Sequence, residues 1–153
     1  MSAVCILDTS IFVEILNVPF MADSHGQIVQ ALTQKINDNE SLFLPMATIF
    51  ETGNHIANNG DGTLRRQCAD SFVSQLQKAL AGESPFKPIS FIKINELQQW
   101  LAEFPDSAMT GRGLGDLSII HDWQRLCRQN TGRRVYIWSL DGHLDCYDQP
   151  ARI

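Results

Sequence analysis

The chain is short of the features that mark exported, membrane-bound or repetitive proteins. Its four cysteines, Cys5, Cys68, Cys127 and Cys146, form no Cys-x-x-Cys pair. All four fall in segments that read as core, which predicts buried, reduced thiols. No eighteen apolar residues run together, so no membrane span is expected. Residues 1–7 carry no basic flank and their apolar run is cut by Asp8, so no secretory signal is expected to begin there. These absences predict a cytoplasmic protein. Basic residues are also scarce: 12 Lys and Arg against 17 Asp and Glu give a formal charge of −5, which argues against holding nucleic acid by bulk electrostatics. A local exception is Arg125, Arg128, Arg133 and Arg134, with no acid between Arg125 and Arg134, and it reads as a solvated helix end.

Internal repeats and low-complexity tracts are missing too, and the breaks at residues 58–62, 82–85 and 104–115 are too short for interdomain linkers. What remains is 153 residues, 44% hydrophobic and 19% charged, which excludes disorder as the default. A single domain over residues 1–153 is expected to bury about 70% of its unfolded surface without a disulfide or structural metal.

Hydrophobic patterning predicts alternating elements. Residues 4–7 form a short continuous apolar run stopped by Asp8-Thr9-Ser10, then Ile11, Phe12, Ile15 and Leu16 recur at helical spacing: a buried strand feeding a helix. A helix follows from Ser24 to about Asn37, then a strand at 42–44, then a helix opened by Pro45 with Ile49, Phe50, Gly53 and Ile56 along one side. Residues 64–80 predict a longer helix with Cys68, Phe72, Val73, Leu76 and Leu80 inward, and 89–92 a strand. Asn95 is a candidate cap for a helix over 96–103 that stops at Pro105. Residues 114–129 predict the next helix and 135–138 a last strand. Continuous apolar strands alternating with helices imply a three-layer α/β/α fold with a central, mainly parallel sheet. In such sheets ligands bind outside the carboxyl ends of the strands.

Four acids stand where that rule directs attention or where apolar faces are interrupted. Asp8 and Asp141 follow strands, while Glu51 and Asp116 break helical apolar patterns with no Lys or Arg beside them. A carboxylate among core-facing residues must be paired, hydrogen-bonded or metal-bound. If the four converge, hard divalent cations best offset their repulsion, the way nucleases build phosphodiester-cleaving sites.

Strand-Asp8-Thr9-Ser10, helical Glu51, helical Gly115-Asp116-Leu117 and strand-Ser139-Leu140-Asp141-Gly142-His143-Leu144, in that order, resemble the PIN domain over almost the whole chain. The resemblance implies an acidic core of Asp8, Glu51 and Asp116, with Asp141 as a fourth, more variable member and Ser139 as a hydroxyl that orders the site. It further implies Mg²⁺ or Mn²⁺, cleavage of single-stranded or structured RNA and, for small members, a toxin that pairs with an antitoxin protein and often forms a homodimer. The chain departs from the compact toxins in its longer stretch over 60–94 and its extended loop over 105–115.

Each acid has a structural alternative. Asp8 and Asp116 are placed to cap helices, Glu51 faces solvent if its helix is rotated, and Asp141-Gly142 suits a turn. Glu51 and His55, four apart, are an alternative pair for a softer metal such as zinc. His25 and His121 read as surface or packing residues, and Trp100, Trp123 and Trp138 as core. Phosphatases that begin with an Asp after the first strand place a second Asp two residues on, where this chain has Ser10. From a different class, a non-catalytic RNA- or protein-binding module stands as the rival to an enzyme.

Overall fold

The structure is a computed structural model and describes residues 1–90 and 92–153. Five strands, β1 (Val4–Leu7), β2 (Ser41–Leu44), β3 (Phe86–Pro88), β4 (Val135–Trp138) and β5 (Asp148–Gln149), form one sheet in the order β3-β2-β1-β4-β5. Every pair is parallel except β4 with β5. The α-helices among the described residues are α1 (Thr9–Ile15), α2 (His25–Asn37), α3 (Met46–Ala57), α4 (Gly62–Leu80), α5 (Ile94–Met109) and α6 (Leu114–Gln129), and a 3-10 turn spans Gly142–Leu144.

Side chains alternate across a strand, and β1 is apolar on both faces because both are covered. Cys5 and Leu7 join Leu42, Leu44 and Phe86 beneath Ile11 and Phe12 of α1, Ile28 of α2 and Ala79 of α4. Val4 and Ile6 join Val135 and Ile137 against Ile119, Ile120 and Leu126 of α6. The result is the three-layer α/β/α architecture expected, and each fully buried Leu or Ile contributes about 1.5–3 kcal/mol to it. Among the described residues no helix is long and apolar enough to cross a membrane.

Several local expectations are corrected. The third strand lies at Phe86–Pro88 instead of 89–92, of which Phe91 lies outside the described residues. Phe86 is the side chain that reaches the core, and Pro88 is tolerated because β3 is an edge strand. Helix α5 starts after Lys93, not Asn95, with the Glu96 carboxylate accepting from the Lys93 N–H at 3.0 Å. It also runs through Pro105, which lies with Leu101 on the exposed side of the helix, where losing one helical hydrogen bond leaves no buried carbonyl behind. Helix α3 is rotated from its expected facing. Thr48, Thr52 and Ile56 are buried while Phe50 is exposed, and Thr48 Oγ1 donates to the Leu7 carbonyl at 2.8 Å, drawing the helix against the end of β1. Val73 and Leu80 of α4 are exposed, since the stripe is wider than the layer it covers. Cys5 is buried and Cys68 and Cys127 are half-buried, but Cys146, in the surface link from the 3-10 turn to edge strand β5, is exposed.

Candidate active site

The sheet order places a topological switch point between β1 and β4: the chain leaves β1 for β2 and β3 on one side and reaches β4 on the other. A crevice opens at such a point beyond the carboxyl ends of the strands. Leu7 pairs with Trp138 in register, so Asp8 and Ser139, the next residue of each strand, emerge side by side.

Asp8 occupies the N-cap position of α1, yet its side chain makes no capping bond. Instead Ser139 Oγ donates to Asp8 Oδ2 at 2.7 Å and Ser10 Oγ donates to the same oxygen at 2.8 Å. The two serines are themselves held: the Leu140 N–H donates to Ser10 Oγ and the Asp141 N–H to Ser139 Oγ, both at 2.9 Å. One oxygen of a buried carboxylate is thus fixed by two hydroxyls, and no hydrogen bond of the described residues reaches the other.

Glu51 reaches the same crevice from α3, where Thr9 Oγ1 donates to its Oε2 at 2.9 Å. Partial burial pushes its carboxyl above the usual range, the Thr9 bond opposes this, and Asp8 and Asp116 push it further. The first turn of α6 approaches so closely that a Cβ at position 115 would stand 1.8 Å from Glu51 Oε1. Gly115 is therefore required by the carboxylate's place. Asp116, next along, is also raised, by burial first and then by Asp141 and Asp8, while a hydrogen bond to the Gly113 backbone lowers it. Asp116 is therefore not the cap of α6, which is Gly113, but a first-turn acid bonded back to the Gly113 backbone, and it lines the crevice. Asp141 caps the 3-10 turn by accepting from the His143 N–H at 2.9 Å, so its turn role is realised while its charge still acts on Asp116.

Asp8, Glu51, Asp116 and Asp141 thus line one cleft of about 430 Å³, together with Thr9, Ser10 and His55. Among its described lining residues there is no lysine or arginine. Three of the four arginines of the 125–134 segment are engaged elsewhere: Arg125 on Asp122, Arg133 on the Ser2 and Ala3 carbonyls and on Ser41, and Arg134 on Asp148. His121 pairs with Glu103 and His25 with the Glu14 carbonyl, while His55 stands in the cleft. Trp100 is buried and Trp123 and Trp138 half-buried, as core residues.

Three residues to which the sequence reading gave no role in the site complete it. Thr9 and Ser10 orient Glu51 and Asp8, and the signal for them is a pair of hydroxyls directly after the strand-ending acid. Glu14 is buried and lines the cleft, and its carboxylate accepts from the Asp23 and Ser24 N–H groups at 3.1 and 3.0 Å, tying the loop after α1 to the start of α2.

The donors are hard oxygens, and the Glu51 and Asp116 carboxyls are raised first by burial and then by the neighbouring acids. In kind and charge they fit a divalent cation. Among the described residues, however, no group of three or more His, Cys, Asp or Glu side chains stands as a ready-made ligand set. Compared with models of known protein families, with curated proteins and with solved structures, the chain finds no match.

Proposed function

We propose that this chain is a divalent-metal-dependent endoribonuclease of the PIN type, hydrolysing RNA phosphodiester bonds. The observation that carries the reading is the cleft: four carboxylates from four separate elements line it at the switch point of a mainly parallel sheet, with no Lys or Arg among its described lining residues. A stable fold has no need of that repulsion, whereas an enzyme that neutralises a phosphodiester through Mg²⁺ or Mn²⁺ does. Asp8 and Asp116 are the first-choice ligands, with Glu51 and Asp141 completing the set. A bound divalent cation supplies Lewis-acid activation of water and of the phosphodiester. Ser139 and Ser10 hold Asp8 in one orientation, and Thr9 does the same for Glu51. Cytoplasmic location, an antitoxin partner and a homodimer that supplies the basic surface missing from one copy belong to the same proposal.

The rival, a non-catalytic binding module, draws on the hydrogen bonds that Asp116 and Asp141 already make to backbone. Thermal melting with and without manganese separates the two. A cation that binds only the folded state at a hundredfold over its Kd adds about 2.7 kcal/mol, which raises the melting temperature of a domain this size by roughly 5–10 °C. The nuclease reading expects that rise at millimolar manganese and its loss in Asp8→Asn. An unchanged melting temperature overturns it in favour of the binding module.

A further inference from the structure

A second cavity, of about 400 Å³, lies between α3, α5 and the start of α6. It adjoins the acidic cleft: Glu51 lines both, and the successive residues Gly115 and Asp116 line one each. Its walls are apolar, with Met46, Leu97, Trp100 and Leu114, and its volume falls in the range of small-ligand sites. One group in that wall is out of character. Asp122 of α6 lines the cavity with its side chain only 7% exposed. Its Oδ1 accepts from Arg125 Nη2 at 2.8 Å, and among the described residues no hydrogen bond reaches its Oδ2. Burial pushes this carboxyl up to about 6 despite Arg125. Asp122 stands where this apolar cavity adjoins a small polar one lined by Gln99, His121, Arg125 and Arg128, and a buried carboxylate at that boundary with one oxygen free of protein donors can accept from a ligand that brings N–H groups.

The chemistry selects among ligands. Apolar walls that include an indole favour a flat ring, and a carboxylate accepts two parallel donors on one edge. Guanine carries two neighbouring donors, N1–H and N2–H₂, on its Watson–Crick edge. Adenine and cytosine set an acceptor beside their amino group, which repels a carboxylate, and uracil has one donor flanked by two acceptors. We propose that this cavity is a nucleobase subsite for guanine, with Asp122 accepting from N1–H and N2–H₂, the ring against Trp100, and the attached phosphate directed past Glu51 into the acidic cleft. The proposal rests on the ribonuclease reading for the nature of the polymer, and on the cavity alone for the base.

The test is titration of the full chain with guanosine 5′-monophosphate while the tryptophan indole N–H signals are followed by NMR. Trp123, whose indole N–H is engaged with the Val135 carbonyl at 3.0 Å, serves as the internal reference. The Trp100 signal is expected to move and the Trp123 signal to stay. Inosine monophosphate, which lacks the 2-amino group, is expected to bind roughly tenfold more weakly, and Asp122→Asn to weaken guanosine monophosphate about tenfold or more, the usual effect of losing a hydrogen bond to a charged acceptor. Ser118→Leu, which fills the cavity and leaves Asp122 in place, is expected to abolish binding and keeps the test decisive if Asp122→Asn misfolds. The proposal is overturned if guanosine monophosphate leaves Trp100 unmoved, if cytidine monophosphate moves it equally, or if folded Ser118→Leu binds as the parent does. RNA cleavage enters none of these readouts, so binding of the base without cutting would overturn the ribonuclease reading and leave the subsite standing.

Discussion

Replacing Asp122 by Asn removes a charge that the fold keeps at a measurable cost. The carboxyl sits at about 6 in the folded chain against an ordinary 3.8. At about 1.4 kcal/mol per pH unit, the ionised form is therefore disfavoured by about 3 kcal/mol relative to the unfolded chain. Asp122 is almost fully buried, so solvent screening does not reduce this. The sign follows from proton counting. Between about pH 4 and 6 the unfolded chain has released this proton while the folded chain still holds it, so this group's contribution to stability falls as pH rises through that window and is level above it. Asn has no proton to release. Urea unfolding of both proteins from pH 4 to 8 is expected to show the parent losing about 2.4 kcal/mol against Asp122→Asn, since at pH 4 part of the unfolded carboxyl is already ionised. The freed Arg125, about a quarter exposed, hydrates in the variant and adds only a pH-independent offset. Parallel stability curves would refute the argument that burial disfavours the ionised form of Asp122.

Further outcomes follow from the site's geometry. Gly115→Ala places a methyl against Glu51 Oε1 and is expected to push that carboxylate aside, reducing RNA cleavage at least tenfold while circular dichroism shows an unchanged fold. Ser139→Ala removes one of two hydroxyls on Asp8 Oδ2 and is expected to lower stability by about 1–3 kcal/mol in urea unfolding, with partial recovery in Ser139→Thr. Glu51→Gln and Asp116→Asn remove acids raised by burial and by their neighbours, so without metal both are expected to melt higher than the parent at pH 7.5, and this advantage shrinks as pH falls into the carboxylate range. Mass spectrometry after alkylation is expected to find Cys146 modified first and Cys5, buried and pushed up to about 12, modified only on unfolding.

Legibility of the chain varied with how local each determinant is. Strands β1 and β4 and helix α6 were legible to the residue because their apolar runs end at Asp8, at Ser139 and at the Gly113 and Asn130 positions, signals carried within each segment. Strand β5 was not, because Asp148 and Gln149 have no strand pattern and pair only where β4 offers a free edge. The facing of α3 was misread because its buried side is built on two threonines, one of which earns its place by a hydrogen bond to Leu7, 41 positions away. The four acids were legible as a set through their positions relative to strands and helices. The Thr9 hydroxyl on Glu51 and the closeness of Gly115 to Glu51 were not, since each depends on how distant segments pack, whereas Ser139 was legible through the resemblance alone. Asp122 carried a signal that went unused: an acid between Ile119-Ile120 and Leu126, on the inward face of α6.

Cleavage of a mixed panel of labelled RNAs with manganese or magnesium, by the parent chain, Asp8→Asn and Asp116→Asn, tests the central claim most directly. The account predicts metal-dependent cutting by the parent and its loss in both variants, each still folded. Cutting that persists in Asp8→Asn would contradict the assignment of that carboxylate, and a parent that cuts no RNA in either metal would contradict the ribonuclease reading itself.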